Sequence, residues 1–266
     1  MFSAYLPAVV TAVSFMTVIF LAALIIRDNS IVDIAWGIGF VLIAIVTRMS
    51  GGEPATLSTI VTVLVTLWGL RLALYIAVRK KGEGEDFRYA KWRRGWGRWF
   101  VLRSFFQIFM LQGALMLVIA MPIVHVNAGS GFEPGLIGIV GIVVWMIGFL
   151  FETVGDWQLF RFKQDPANRG RVMDRGLWRY TRHPNYFGES VLWWGIFLLA
   201  LGTPGGWMTV IGPALITLLL LRVSGVTMLE RALVERREGY HGYIERTNAF
   251  IPWIPKVSSN GESDGE

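Results

Sequence analysis

The sequence predicts an all-α, polytopic integral membrane protein of seven transmembrane helices, and three observations carry that prediction. The 266 residues are 54% hydrophobic with 12 Trp and no Cys, and the mean hydropathy of +0.51 exceeds that of an ordinary soluble domain. Seven apolar stretches approach the roughly 17–25 residues needed to cross about 30 Å of hydrocarbon. The Lys and Arg residues, finally, collect in a few connections between those stretches.

The first span, 5–26, lies in a segment opening "MFSAYLPAVV". That segment has no basic run and no small-residue cleavage signal, so it reads as a retained helix and not as a signal peptide. Spans at 30–48, 56–78, 101–125 and 136–157 follow. The last two, 186–201 and 206–224, are divided only by the tight turn "GTPGG"; the first of them is short, and six or eight spans are the alternatives. Loops are expected at 79–100 and 158–185 and an amphipathic stretch at 226–247. The tail 257–266, "VSSNGESDGE", has nothing to bury and is expected to be disordered. With no repeat and no soluble second domain, residues 1–256 are expected to form one membrane domain.

Nine Lys and Arg lie in 79–103, seven in 158–182 and six from Arg222 to Lys256. Seven spans put all three groups on one side. The positive-inside rule makes that side cytoplasmic, leaving the N-terminus outside and the C-terminus in the cytoplasm. Anionic lipid is the plain partner for many of these charges. Nucleic acid is not expected, because the clusters flank spans and no nucleic-acid module intervenes. Without cysteine there are no disulfides or thiolate sites, and His125, His183 and His241 lack ligand spacing, so no metal is expected.

Ionisable residues inside apolar spans carry the functional information, because a charge in hydrocarbon costs several kcal/mol unless it faces protein or water. Asp33 stands near the start of span two. Arg71 lies in span three, about 12 Å along the helix from Arg79 at 1.5 Å per residue. Glu152 and Asp156 share a face of span five, and Glu189 opens span six. Each alone suits a structural ion pair or a snorkelling side chain. Together they aim polar groups from four helices at one depth beneath two basic loops, a pocket for an anionic ligand. A dinucleotide matches that donor set best: pyrophosphate for Arg, sugar hydroxyls for Asp and Glu, an amide for Asn, and flat rings for Trp and Tyr. The usual glycine fingerprint is absent, since "GLIGIVG" (Gly135, Gly138, Gly141) lies within a span with no strand before it and suits helix packing.

The stretch "RGLWRYTRHPNYFGE" (175–189) resembles the carboxy-terminal motif of the membrane steroid 5α-reductases. Their superfamily also holds sterol reductases and isoprenylcysteine carboxyl methyltransferases. "DIAWGIGF", "LWGLRLALYIAVRKKGEGEDFRY" and "RTNAFIPWIP" resemble the compact bacterial branch of that family, so that the likeness covers roughly residues 29–256. The resemblance implies a seven-helix fold in a bacterial inner membrane that holds NADPH on its cytoplasmic side. It implies nicotinamide contacts from Asn185 and Glu189, a phosphate or adenosine contact from Arg171, a ribose contact from Asp156, and an approach by Arg71 from span three. Tyr180, Arg182, His183 and Tyr186 belong to the same signature. Glu85, Asp86, Arg88 and Tyr89 form the branch's own loop signature, while Arg222 and Glu230 fall near family contacts.

The implied reaction is reduction of the carbon–carbon double bond of a lipophilic enone, in the first place a 3-oxo-Δ4 steroid reaching the site from the bilayer. Negative charge then develops on the carbonyl oxygen and must meet a donor in a dry site. Asp33 stands near the family's acid position. Trp68 occupies the family's tyrosine position, which leaves Tyr75 or a water as second donor. Trp36, Trp68, Trp193 and Trp194 are the candidate substrate-lining residues, and an interfacial belt is the other use of tryptophan. The competing function is an S-adenosylmethionine-dependent membrane methyltransferase using the shared "RHPNYFG" element.

Overall fold

A computed structural model of the chain describes residues 2–51, 55–129, 131–223, 226, 230, 234 and 239–256. Among these residues every regular element is helical. Five segments are long and apolar enough to cross a membrane: Tyr5–Ile26, Ile31–Ser50, Thr56–Lys80, Phe87–Ile119 and Leu136–Gln164. Two compact units divide the chain, Met1–Gly141 with Ile196–Gly212, and Ile142–Gly195 with Pro213–Glu266.

In the first unit α1 (Phe2–Ile26), α2 (Ile31–Ser50) and α3 (Thr56–Lys80) are the apolar helices expected from the sequence. Threonine hydroxyls inside α3 are tolerated because they turn back on their own helix. Thr62 Oγ1 donates to the Ser58 carbonyl at 2.8 Å and Thr66 Oγ1 to the Thr62 carbonyl at 2.7 Å, which satisfies them where no water is available. Helices α2 and α3 cross at Gly37 and Gly69. A methyl group on Gly37 would lie 2.3 Å from the Gly69 carbonyl oxygen, and one on Gly69 would lie 2.5 Å from that of Gly37. Beside the crossing, Trp36, Phe40 and Trp68 pack edge to face at 5.3 and 5.5 Å.

The segment 79–100, expected as a loop, is largely helical. Its α4 (Phe87–Trp96) is too basic for a hydropathy window to mark, but Asp86 caps it by accepting from the Arg88 N–H at 2.9 Å. Gly97, at φ 47°, breaks the axis. Beyond it the chain runs through a 3₁₀ turn (Gly97–Trp99), α5 (Phe100–Ser104), a π turn (Phe105–Met110) and α6 (Leu111–Ile119), followed by α7 (Met121–Ala128). The apolar part starts near Phe100, close to the expected 101. Phe20 of α1 meets Phe105 and Phe109 edge to face at 5.1 and 5.3 Å. Asn127 of α7 donates through Nδ2 to the Ala44 carbonyl and the Thr47 hydroxyl of α2.

The second unit contains most of α8 (Leu136–Gln164) and of α9 (Pro184–Leu201). Here too glycines set the crossing: a methyl on Gly148 would meet the Gly188 carbonyl oxygen at 2.6 Å, and one on Gly188 would meet that of Gly148 at 2.6 Å. Helix α9 has nearly the bounds expected of the sixth span, but it is not among the five segments apolar enough to cross, since Asn185, Glu189 and Ser190 dilute its apolar character. The seventh, 206–224, is a shorter apolar run, Gly206–Arg222, that includes α10 (Ile211–Leu218). Of the amphipathic stretch at 226–247 the regular part described is α11 (Tyr240–Arg246). The expected disordered tail lies outside the described residues.

Candidate functional site

At the α3–α4 connection of the first unit, acidic and basic side chains are stitched into one network. The Asp86 cap places Arg88 and Tyr89 on the first turn of α4. Tyr89 donates its hydroxyl to Asp33 Oδ1 at 2.8 Å, and the Arg88 guanidinium donates to Asp33 Oδ2 at 3.0 Å and, through Nε, to Asp86 at 2.9 Å. The same guanidinium lies 5.3 Å from the centre of the Tyr89 ring. Tyr89 is buried, at 4% exposure, whereas the Asp33 and Arg88 side chains keep about a quarter of their surface.

Around this core, Glu85 accepts from the Asn29 N–H at 2.9 Å and from Arg93 at 2.8 and 2.9 Å. Lys80 bonds Asp28 and Ser30. Burial pushes the Asp28, Glu85 and Asp86 carboxyls up. Hydrogen bonds from Lys80 and Ser30, from Arg93 and Asn29, and from Arg88 respectively outweigh it and hold all three below the ordinary carboxylate range.

The sequence left Tyr75 or a water as the second donor beside Asp33. The structure places Tyr75 between two arginines of its own helix, its ring 5.7 Å from the Arg71 guanidinium and 5.5 Å from that of Arg79. The tyrosine on Asp33 is Tyr89. Its signal was available in "EDFRY": an N-cap aspartate fixes the residues two and three positions later on one helix turn.

The second unit gathers most of the remaining candidates. Asp156 of α8 is buried and accepts from Asn185 Nδ2 of α9 at 3.1 Å. Asn185 Oδ1 is buried and has no hydrogen-bond partner among the described residues. Glu189 lies one turn further along α9, on the face of Asn185, and Glu152 lies one turn before Asp156 on α8. Glycine at 155 allows the approach, since a methyl there would come 3.2 Å from the Asn185 nitrogen.

Arg182 and His183 form a buried knot just before α9. Arg182 donates to both Glu230 oxygens, at 2.7 and 3.1 Å, and to the carbonyls of Ile244 and Thr247. His183 Nε2 lies 3.2 Å from Glu230 Oε1, and its ring stacks on Tyr186 at 5.4 Å. Burial raises the Glu230 carboxyl, but the hydrogen bonds from His183 and Arg182 and the charge on Arg182 bring it down to about 2. Arg182 therefore ties the start of α9 to the carboxy-terminal segment.

Tyr180 is exposed, and its carbonyl accepts from the Trp253 N–H at 2.9 Å. Arg171 and Arg222 are exposed side chains. Among the tryptophans, Trp68 and Trp193 are fully buried, Trp36 packs on Phe40, and Trp194 donates to Thr217 Oγ1 at 3.2 Å. No cluster of His, Cys, Asp and Glu suited to a metal ion occurs among the described residues.

A family model described as "Protein of unknown function (DUF1295)" matches residues 19–247. An uncharacterised protein of Schizosaccharomyces pombe is 26% identical, the match covering 73% of this chain. The chain spans 62% of that relative's length. No solved structure matches the chain.

Proposed function

Because the chain belongs to the DUF1295 family, within the steroid 5α-reductase-like superfamily, we propose that it is an NADPH-dependent membrane reductase of lipophilic enones, 3-oxo-Δ4 steroids being the leading substrate class. The reading includes seven spans, an external N-terminus, and a coenzyme site on the cytoplasmic face of a bacterial inner membrane. One observation carries it: Asn185 is held by Asp156 through its amide nitrogen while its buried oxygen has no hydrogen-bond partner among the described residues. An unsatisfied buried acceptor needs a donor from elsewhere, and a carboxamide NH2 fits that need.

The residues present suit the coenzyme. Asn185 would take the nicotinamide amide, with Glu189 one turn along as a second acceptor. Asp156 orients Asn185 and offers a carboxylate to a ribose hydroxyl. Arg171, exposed in the connection before α9, offers a cation to phosphate. Bound NADPH supplies the hydride.

Within the first unit the candidate acid is the Tyr89–Asp33 pair. The Tyr89 hydroxyl donates to Asp33 at 2.8 Å; Tyr89 carries the proton of this pair, and in turnover that proton would pass to the enolate oxygen, leaving the phenolate. Arg88, which touches Asp33 and lies against the Tyr89 ring, stabilises the anion left behind.

The test is NADPH binding to purified protein in nanodiscs. The wild type is expected to bind, and Asn185→Ala to bind about tenfold more weakly, the size of one well-made hydrogen bond, while remaining folded. Binding of S-adenosylmethionine in place of NADPH refutes the reading, as does an Asn185→Ala protein with wild-type affinity.

A further inference from the structure

The carboxy-terminal segment "FIPWIP" presents a contradiction that the reductase reading leaves untouched. Its backbone is firmly held. The Trp253 N–H donates to the Tyr180 carbonyl at 2.9 Å and the Lys256 N–H to the Arg246 carbonyl at 2.9 Å, while the Asn248 carbonyl accepts from the Arg182 N–H at 2.9 Å. Thr181 Oγ1 donates to the Phe250 carbonyl at 2.8 Å, and the Phe250 ring turns inward against Phe187. Yet Ile251, Trp253 and Ile254 point outward with 64, 67 and 77% of their surface uncovered. Together with Tyr180 and Pro252, Trp253 and Ile254 form a shallow apolar recess. An ordered segment that holds three large apolar side chains in the open needs something apolar to cover them.

The height of this edge says what that is. Trp178 Nε1 donates to the Gly155 carbonyl of α8 at 3.0 Å, and the Leu177 N–H donates to Gln158 Oε1 at 3.0 Å. The turn carrying Tyr180 thus lies alongside the last turns of a membrane-length helix instead of beyond its end at Gln164. Trp253 is bonded to that turn. Among the described residues the flanking charge is mainly positive: Arg175, Arg179, Arg246 and Lys256 are exposed, with Glu245 and Asp174, the latter 4.0 Å from Arg246, as the neighbouring carboxylates. Cations beside tryptophan and isoleucine are the combination that seats at the boundary between anionic headgroups and acyl chains.

We propose that the Ile251–Trp253–Ile254 edge is a membrane-surface anchor that inserts into the headgroup–acyl boundary of the leaflet at the Gln164 end of α8, with anionic phospholipid as its partner. The contact holds in place the turn at 178–182, because the anchor's main chain is bonded to Tyr180, Thr181 and Arg182. Bilayer contact and the geometry ahead of α9 are then mechanically linked. This inference does not depend on which reaction the protein catalyses.

A chain without cysteine makes the test direct. Nitroxides are placed on Trp253→Cys, Ile254→Cys and, as an aqueous reference, Arg169→Cys, in phosphatidylcholine vesicles with and without phosphatidylglycerol. All three side chains are exposed, so the fold tolerates the label. Power saturation is expected to show positions 253 and 254 open to oxygen and shielded from a water-soluble nickel chelate, at a depth of about 5–10 Å. Adding Lys256→Gln to Ile254→Cys is expected to remove the extra shielding from nickel that phosphatidylglycerol confers at 254, because one cation facing the anionic surface is lost. Nickel access equal to that at position 169 overturns the proposal. So does dipolar broadening at 254 that vanishes on dilution with unlabelled protein, which assigns the edge to a second copy of the chain.

Discussion

Replacing Asp33 with Asn separates a carboxylate that serves proton transfer from Tyr89 from a purely structural one, and the geometry sets the size of each effect. The substitution keeps a side chain of the same shape and one acceptor for the Tyr89 hydroxyl, but removes the charge that Arg88 meets at 3.0 Å. Arg88 retains Asp86 at 2.9 Å, and the Asp33–Arg88 pair keeps about a quarter of its surface in solvent. The loss of stability is therefore about 1 kcal/mol, the value for a partly solvated pair, and not the roughly 3–5 kcal/mol of an orphaned buried charge. Loss of general acid catalysis instead lowers the rate by about 10²–10⁴-fold. The assay is single-turnover oxidation of NADPH by an enone steroid, followed in the near ultraviolet, with coenzyme affinity and thermal unfolding measured on the same preparation. Tyr89→Phe is expected to slow transfer over the same range, and the double variant to be no slower than the worse single one, because the two groups act as a unit. Wild-type transfer in Asp33→Asn refutes the assignment, as do multiplicative losses in the double variant.

The remaining expectations concern architecture. Gly37→Ala and Gly69→Ala each force a methyl against a carbonyl oxygen across the α2–α3 crossing and should destabilise the protein by about 1–3 kcal/mol in thermal unfolding; unchanged melting refutes the close crossing. Glu230, held at about 2, is depressed relative to its unfolded state, so its stabilisation is complete above the ordinary glutamate value and drains away as pH falls toward 2; Glu230→Gln should be less stable than wild type at neutral pH, with the gap in unfolding temperature closing as acid is added. Single cysteines at Lys91 and Arg169 should label only with a reagent admitted to the cytoplasmic side and one at Glu133 only from outside. Labelling of all three from one side excludes seven spans.

Helices α1, α2, α3 and α8 were legible in the sequence because each is a long apolar run, and that property decides folding in hydrocarbon. Helix α4 was not legible by the same means. Arg88, Lys91, Arg93 and Arg94 interrupt the apolar pattern, and only the capping position of Asp86 marks a helix start there. The second unit shows the same limit at α9, whose polar opening residues are those assigned to coenzyme. Asp33 stood out as a carboxylate in a span. Its partners did not, since Arg88 and Tyr89 lie 55 and 56 residues away, and pairing at that separation is set by how the α3–α4 connection folds back. Tyr75, four residues from both Arg71 and Arg79, the spacing at which helix side chains meet, lies against both guanidinium groups. Arg182 and His183 were visible as motif residues, whereas their bonds to Glu230, Ile244 and Thr247 required the return of the carboxy-terminal segment.

The π turn at Phe105–Met110 fixes how this stretch of chain can change in length. Ser104 before it is buried and accepts from Asn29, while Gly113 and Met116 after it are buried, with Gly113 facing Met16. In an unbroken α-helix, at 100° per residue, the face of Ser104 recurs seven and eleven positions later, yet the buried Met116 stands twelve positions on. One residue is surplus, and the wide turn swallows it. Deleting one residue between Phe105 and Met110 should relax the turn to ordinary helix and leave both faces aligned. The same deletion in the regular helix beyond, between Leu111 and Met116, turns everything downstream by about 100°. A relative that differs from this chain by a one-residue gap in this helix is thus expected to carry the gap inside the turn, and a shortened variant with the deletion placed there should still fold.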